Sequence, residues 1–230
     1  MKTSKTSFVL FGCSTSLVFA AQTPFVNLDF ESANLPYVTN ASYIVTASDA
    51  FPGWTVWEND SVRTEVAYNG VPNGGQVAIF ATGLYPFFPL GGLFMAHFRP
   101  DVGADCSLSQ VGTIPADAQW LQFDTLREPD RFDPLTLSFN GQNLALVMIA
   151  SDTNFGKTFQ ADVSSFAGTT GELRINARPV FYEQRWWLAN VDVDDIQFVP
   201  VPEPHVWALF GLGAVVFALF PMNRTNARSR

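Results

Sequence analysis

Residues 135–148 read Leu-Thr-Leu-Ser-Phe-Asn-Gly-Gln-Asn-Leu-Ala-Leu-Val-Met, and this stretch decides the fold. Leu135, Leu137 and Phe139 alternate with polar residues before Asn140-Gly141, and Leu144, Leu146 and Met148 alternate after it. Alternation puts successive side chains on opposite faces of a strand. An Asn-Gly pair supplies the two positive φ angles of a tight hairpin turn. The spacing therefore predicts two strands, Leu135 to Phe139 and Leu144 to Ile149, each showing one face to a core.

Outward from this hairpin, short runs rich in Val, Ile, Thr, Phe and Trp recur between clusters of Gly, Pro, Asn and Asp from Phe25 to Val199, without helical periodicity. Further strands are expected at Phe25 to Phe30, Tyr43 to Ala47, Trp54 to Glu58, Val62 to Ala67, Gln76 to Ala81, Leu93 to Phe98 and Ser107 to Val111. The series continues at Trp120 to Leu126, Thr158 to Val163, Glu172 to Ala177 and Leu188 to Phe198. A single helical turn capped by Ser164 is expected after the Thr158 run. No internal repeat is long enough for a propeller blade or a solenoid. The expectation is an all-β domain over 21–200, a β-sandwich of the jelly-roll type.

The two ends read differently from the body. Met1 to Ala20 carries Lys2 and Lys5, then an apolar stretch closing on Val18-Phe19-Ala20, which reads as a secretory signal peptide cleaved after Ala20. Leu10-Phe11-Gly12-Cys13 within it is a loose lipobox, which leaves a lipoprotein reading open. At the other end Val206 to Phe220 is an uncharged run of fifteen residues, and Pro221 and Met222 extend it to seventeen. That is the low end of the ~17–25 residues that cross a bilayer as helix. Arg224, Arg228 and Arg230 follow, so the C-terminus is expected to stay cytoplasmic with the body outside. Pro202-Glu203-Pro204, a Gly-containing apolar helix and terminal arginines together resemble the PEP-CTERM sorting signal of Gram-negative bacteria. The resemblance implies an inner-membrane-anchored precursor, cleavage by the membrane protease exosortase, and delivery to the cell surface or extracellular matrix.

Once both ends are set aside, eight of the thirteen basic residues and twenty of the twenty-one acids remain, a net charge of −12. Such a body repels nucleic acid, so no nucleic-acid partner is expected. Cys13 leaves with the signal peptide and Cys106 has no partner, so the fold does not rest on disulfides. Cys106 is expected to be buried and inert.

No catalytic motif stands out. His97 is the one histidine of the body, unaccompanied by a nucleophile elbow or a metal-binding cluster, and reads as structural. Glu128, Asp130 and Asp133 read as a solvated loop. The aromatic segment Tyr85 to Arg99 reads as a cover for one end of the sandwich or as a surface for a partner, the cover being the favoured reading. Trp54 shares a face with Val56 and belongs to the core, whereas Trp57 points the other way. A sugar offers an apolar face and a rim of hydroxyls, which aromatic planes beside charged and amide groups accept. Trp57, Tyr182, Arg185 and Trp187 are the candidates for that contact. Asn27-Leu28-Asp29-Phe30-Glu31, Gly53-Trp54 and Asp194-Asp195-Ile196 resemble landmarks of galactose-binding-like jelly rolls, a superfamily that includes many carbohydrate-binding modules. The resemblance implies a structural calcium ion, Ca2+, held by Glu31, Asp194 and Asp195 where the first and last strands meet. The expected function is a sorted surface or matrix protein, a noncatalytic module that contacts exopolysaccharide or another glycan. A purely structural matrix role and a carbohydrate-active hydrolase remain the alternatives.

Overall fold

The computed structural model describes residues 23–37, 42–70, 76–81, 90–126, 135–151, 156–182, 185–187 and 190–200. Among these the chain forms two packed sheets, with strands numbered in chain order. The larger sheet runs, in spatial order, β1 (Tyr43–Thr46), β4 (Glu65–Tyr68), β5 (Gln76–Ala81), β6 (Phe94–Arg99), β16 (Val191–Pro200), β8 (Ala118–Leu126), β12 (Gly156–Asp162) and β11 (Val147–Ser151). The smaller runs β10 (Gln142–Leu144), β9 (Leu135–Phe139), β13 (Thr170–Ala177), β7 (Cys106–Thr113), β2 (Thr55–Glu58) and β3 (Ser61–Arg63). β14 (Val180–Tyr182) and β15 (Arg185–Trp187) pair with each other as a separate hairpin. β4 and β5 are parallel, and every other pairing between these strands is antiparallel. The architecture is the expected β-sandwich.

Period-two patterning sets the core. In β13, Leu173, Ile175 and Ala177 are buried while Glu172, Arg174 and Asn176 between them are half-exposed. β9 buries Leu135, Leu137 and Phe139 and leaves Thr136 and Ser138 half-exposed. Between the sheets lie Phe30, Phe51, Trp54, Tyr68, Phe98, Phe123 and Phe139, each contributing roughly 1.5–3 kcal/mol or more through burial. The larger sheet is buried on its outer face too, where Ala67, Ala78, Phe80, Met95 and Leu126 form a second cluster with Leu90 packed on it.

Several expected strands are corrected by topology. Asn140 and Gly141 do make the hairpin turn, at φ 50° and 76°, and β9 pairs with β10 through it. The run Leu144 to Ile149 is not one strand, however. Leu144 pairs with Leu137 in the smaller sheet, while Val147 pairs with Gln160 in the larger one. Met148, expected inside, is 52% exposed on an edge strand. Val62 to Ala67 likewise divides into β3 and β4, one in each sheet. Alternation has the same period in both sheets, so it does not mark a crossover.

Phe25 to Phe30 is not a strand either. Asn27 and Phe30 take φ 52° and 58°, and the segment folds into turns that drop Phe30 into the core. Ala47 begins a four-residue helix, α1 (Ala47–Ala50), because the Thr46 hydroxyl accepts the Asp49 N–H at 3.2 Å. The turn Ser164–Phe166 exists as a 3₁₀ helix, with its cap reversed. The Asp162 carboxylate accepts the Ser164 N–H and hydroxyl at 2.9 and 2.6 Å, and those bonds hold its pKa below the usual carboxylate range. The signal peptide, the sorting tail 201–230, Glu128, Asp130, Asp133 and residues 85–89 of the aromatic segment lie outside the described residues. Among the described residues no helix is long and apolar enough to cross a membrane.

Candidate functional site

The outer face of the smaller sheet is built by the residues that alternate with its core positions. Register places them in two rows across the strands. One row runs Val62, Trp57, Ser107, Asn176, Thr136. The other runs Thr55, Ser109, Arg174, Ser138, Asn143. An indole, a guanidinium, two amides and several hydroxyls thus share one surface, and that mixture can both donate to and accept from a ligand's hydroxyl groups.

Trp57 is fixed at the β3 side of this face. Its Nε1–H donates to Ser109 Oγ at 2.9 Å, and the Arg174 guanidinium lies over its ring, 4.6 Å from the centroid. Arg174 in turn donates to Glu172 Oε1 at 2.9 Å. Beside this stack the face hollows into a groove of ≈300 Å³, lined by Asn143, Ser138, Thr136, Arg174 and Asn176 together with Asn59, Asp60 and Asp105. Two of these residues form a reciprocal clamp. Asn59 N–H donates to Asp105 O, and Asp105 N–H donates to Asn59 Oδ1, both at 2.9 Å. Asn59 sits in the left-handed region at φ 52°, which Asn tolerates better than most residues. A second concavity of ≈190 Å³ opens beside Leu90, Asp124, Ala150, Lys157 and Thr158, without an aromatic side chain.

Trp57 stands where the sequence puts it, and Trp54 is buried as expected, its Nε1–H bonded to Asn27 O at 2.9 Å. Tyr182, Arg185 and Trp187 belong to the separate hairpin, Tyr182 opposite Arg185 and Val180 opposite Trp187; their side chains lie outside those described. Sequence reasoning missed Asn143, Ser138, Thr136, Asn176, Asp60 and Asp105. The alternation of Thr136, Ser138 and Asn176 with core residues was legible, but the strand order that sets the β9–β10 hairpin beside β13 and β7, and the turns of Asp60 and Asp105 at their end, was not.

A second cluster sits where the N-terminal turns meet β16. Ile196 N–H donates to Leu28 O at 3.1 Å, and the register of β16 against β8 shifts between Asp194 and Gln197. This bulge, with Asp195 at φ 49°, lets adjacent acids share one neighbourhood. Asp194 is 1% exposed. Its Oδ1 accepts the Asp195 N–H at 2.8 Å, and its Oδ2 has no hydrogen-bond partner among the described residues. Burial pushes the Asp194 carboxyl up to about 8, with the charges of Asp195 and Glu31 adding and the N–H groups of Asp195 and Gly91 opposing. Asp195 is raised as well, by burial first and then by Asp124, Asp29 and Glu31. Glu31 Oε1 accepts the N–H groups of Leu93 and Phe94 at 2.7 and 2.9 Å. A Cβ on Gly91 would collide with Asp195 Oδ2, and one on Gly92, at φ 43°, with Glu31 Oε1. The glycines let the backbone close directly onto the two carboxylates.

The three residues expected to hold calcium are therefore neighbours. The orphaned Asp194 oxygen and the glycine cradle suit a hard cation, which seeks six to eight oxygen ligands. Among the described residues no three of His, Cys, Asp or Glu are grouped to hold a metal by themselves, so main-chain carbonyls or water would have to complete the shell.

His97 and Asp192, 1% and 0% exposed, pair at 2.6 Å between Nδ1 and Oδ1, with Phe80 stacked on the imidazole at 4.4 Å. Burial on both sides keeps this pair from substrate, in line with a structural histidine. Cys106 is fully buried, and burial pushes its thiol up to about 12, so it is inert at physiological pH.

No family model matches the chain, and no curated protein matches it. Among solved structures it is similar to a carbohydrate-binding module, TmCBM61 in complex with β-1,4-galactotriose, at 14% identity and TM-score 0.36, covering 79% of this chain and 100% of that one. It is also similar to the K1 cleaved adhesin domain of Lys-gingipain from Porphyromonas gingivalis, at 10% identity and TM-score 0.40, covering 71% and 100%. A third likeness is to the enzymatically active domain of tailspike protein 4 of bacteriophage CBA120, at 11% identity and TM-score 0.37. There the match covers 65% of this chain but spans 20% of the tailspike chain. At such identities and scores these are likenesses of general β architecture.

Proposed function

We propose that this chain is an exported, noncatalytic protein whose jelly-roll-type β-sandwich contacts a glycan across the outer face of the smaller sheet. The observation that carries the reading is the groove beside Trp57, where hydroxyl, amide and carboxylate groups line a hollow at the low end of the ~300–1,000 Å³ typical of ligand pockets. The hairpin bearing Tyr182, Arg185 and Trp187 is the second proposed contact. Trp57 is half-buried, so alanine there leaves the core intact while removing the indole and the plane on which Arg174 rests. Binding of exopolysaccharide, followed by affinity electrophoresis, is expected to weaken ~5- to 100-fold, the worth of one aromatic contact. Unchanged retardation of Trp57→Ala would remove this face from consideration.

The terminal segments support the rest of the proposal. The precursor is exported through Met1 to Ala20, held in the inner membrane by Val206 to Met222, and cut by exosortase at Pro202-Glu203-Pro204 for delivery to the surface or matrix. Alanine at all three positions is expected to leave the tail attached in immunoblots of cell fractions. Continued tail removal in that variant would contradict the sorting role.

Glu31, Asp194 and Asp195 are proposed to hold a structural calcium ion, which would bind at Asp194 and pin the N-terminal turns to β16. A bound ion raises the unfolding midpoint by mass action, with about 2.7 kcal/mol of stabilisation at a hundredfold excess over Kd. Equal midpoints in millimolar calcium and in chelator would rule it out.

A further inference from the structure

We infer that the groove beside Trp57 selects an uncharged stretch of polysaccharide and rejects uronates and other anionic glycans. This rests on the glycan reading of that face. Asp60 and Asp105 are among the residues that line the groove. Asp60 has no cationic partner among the described residues, and Asp105 receives only a long contact from Asn176 Nδ2, at 3.5 Å. The nearby cations are already engaged. Arg174 is held by Glu172 at 2.9 Å and stacked on Trp57, and Arg63 is paired with Glu58.

An ionised carboxylate only accepts hydrogen bonds. Asp60 and Asp105 therefore call for donors, and the hydroxyls of a neutral sugar supply them. Those hydroxyls also accept from the amide N–H groups of Asn143 and Asn176 and donate to Ser138 or Thr136, so both halves of each sugar hydroxyl find partners in the groove. A uronate presents acceptors to acceptors with no shared proton, and the one guanidinium lining the groove, that of Arg174, already faces Glu172 and the Trp57 ring. Its charge also meets two negative charges there, Asp60 exposed and Asp105 half-exposed, a repulsion that is strongest at low salt. The body's net charge of −12 acts in the same direction at longer range.

The test is affinity electrophoresis of the full chain in detergent, with gels containing a neutral galactan, a neutral glucan or polygalacturonate, at low and at physiological salt. Retardation by a neutral polymer is expected, with polygalacturonate at least about tenfold weaker at low salt and the gap narrowing as salt rises. The double variant Asp60→Asn and Asp105→Asn should close most of that gap while its unfolding midpoint stays near wild type, because the Asn59–Asp105 clamp uses the Asp105 backbone and not its carboxylate. Polygalacturonate bound as tightly as the neutral polymers would overturn the inference and leave the glycan reading standing. A preference for neutral polymer that persists unchanged in the double variant would overturn it too, by placing the discrimination elsewhere. Failure of every polymer to bind would overturn the glycan reading and this selectivity together.

Discussion

Alanine at Trp54 is expected to cost ~3–5 kcal/mol of folding stability, the usual price of deleting a large buried aromatic. The ring is 7% exposed and stands 5.9 Å from Phe30, which meets Phe51 edge-on at 5.8 Å. Its Nε1–H also secures Asn27 O at 2.9 Å, so the substitution opens a cavity and frees the N-terminal turns together. Against a total stability of typically 5–15 kcal/mol, such a loss removes a third or more of the margin. Urea titration should show a midpoint lowered by ~1 M or more, while Trp57→Ala stays within a few tenths of a molar of wild type. Equal midpoints for the two variants would mean that the indoles do not divide into one core and one surface residue.

Stability in chelator is expected to fall as pH rises from about 4 to 8, and Asp194→Asn is expected to flatten that fall. Asp194 in the fold titrates near 8, against ~3.9 for an unperturbed aspartate. Between those values the unfolded chain carries the carboxylate while the folded chain keeps the proton. The folded state thus binds more protons, and stability declines with rising pH. Below about pH 4 both states are protonated and the contribution vanishes; above about pH 8 the whole penalty, of the order of several kcal/mol, is present. Asp195, raised by burial and by the charges of Asp124, Asp29 and Glu31, adds in the same direction. The amide of Asp194→Asn is neutral throughout, so the variant should match wild type near pH 4 and unfold at a higher temperature near pH 8. Calcium should offset the penalty in wild type near pH 8, with the cation replacing the proton beside Oδ2, and should do little near pH 4. Parallel curves for wild type and variant from pH 4 to 8 would place the burden on other groups.

Local patterning made much of this protein legible in its sequence. The alternation around Asn140-Gly141 determined a hairpin, because a two-residue period and two adjacent positive φ angles are properties of a few neighbouring residues. The same alternation separated Trp54 from Trp57, while Cys106 and His97 read as structural because the sequence offers them no partner and no motif. Tertiary structure alone decided which strands are neighbours. β10 and β11 are a single apolar run that divides between two sheets at Ala145–Leu146, since strand period is identical on either side of a crossover. The polar side chains of the β9–β10 hairpin and of β13 become one groove only through pairings such as Arg174 with Ser138 and Asn176 with Thr136, contacts between residues far apart in the chain. Phe25 to Phe30 shows the converse limit. A strand-like sequence there folds into turns, with Asn27 and Phe30 in the left-handed region and Phe30 buried against Phe51 and Trp54, because strand propensity mostly reports packing context that a local pattern does not contain.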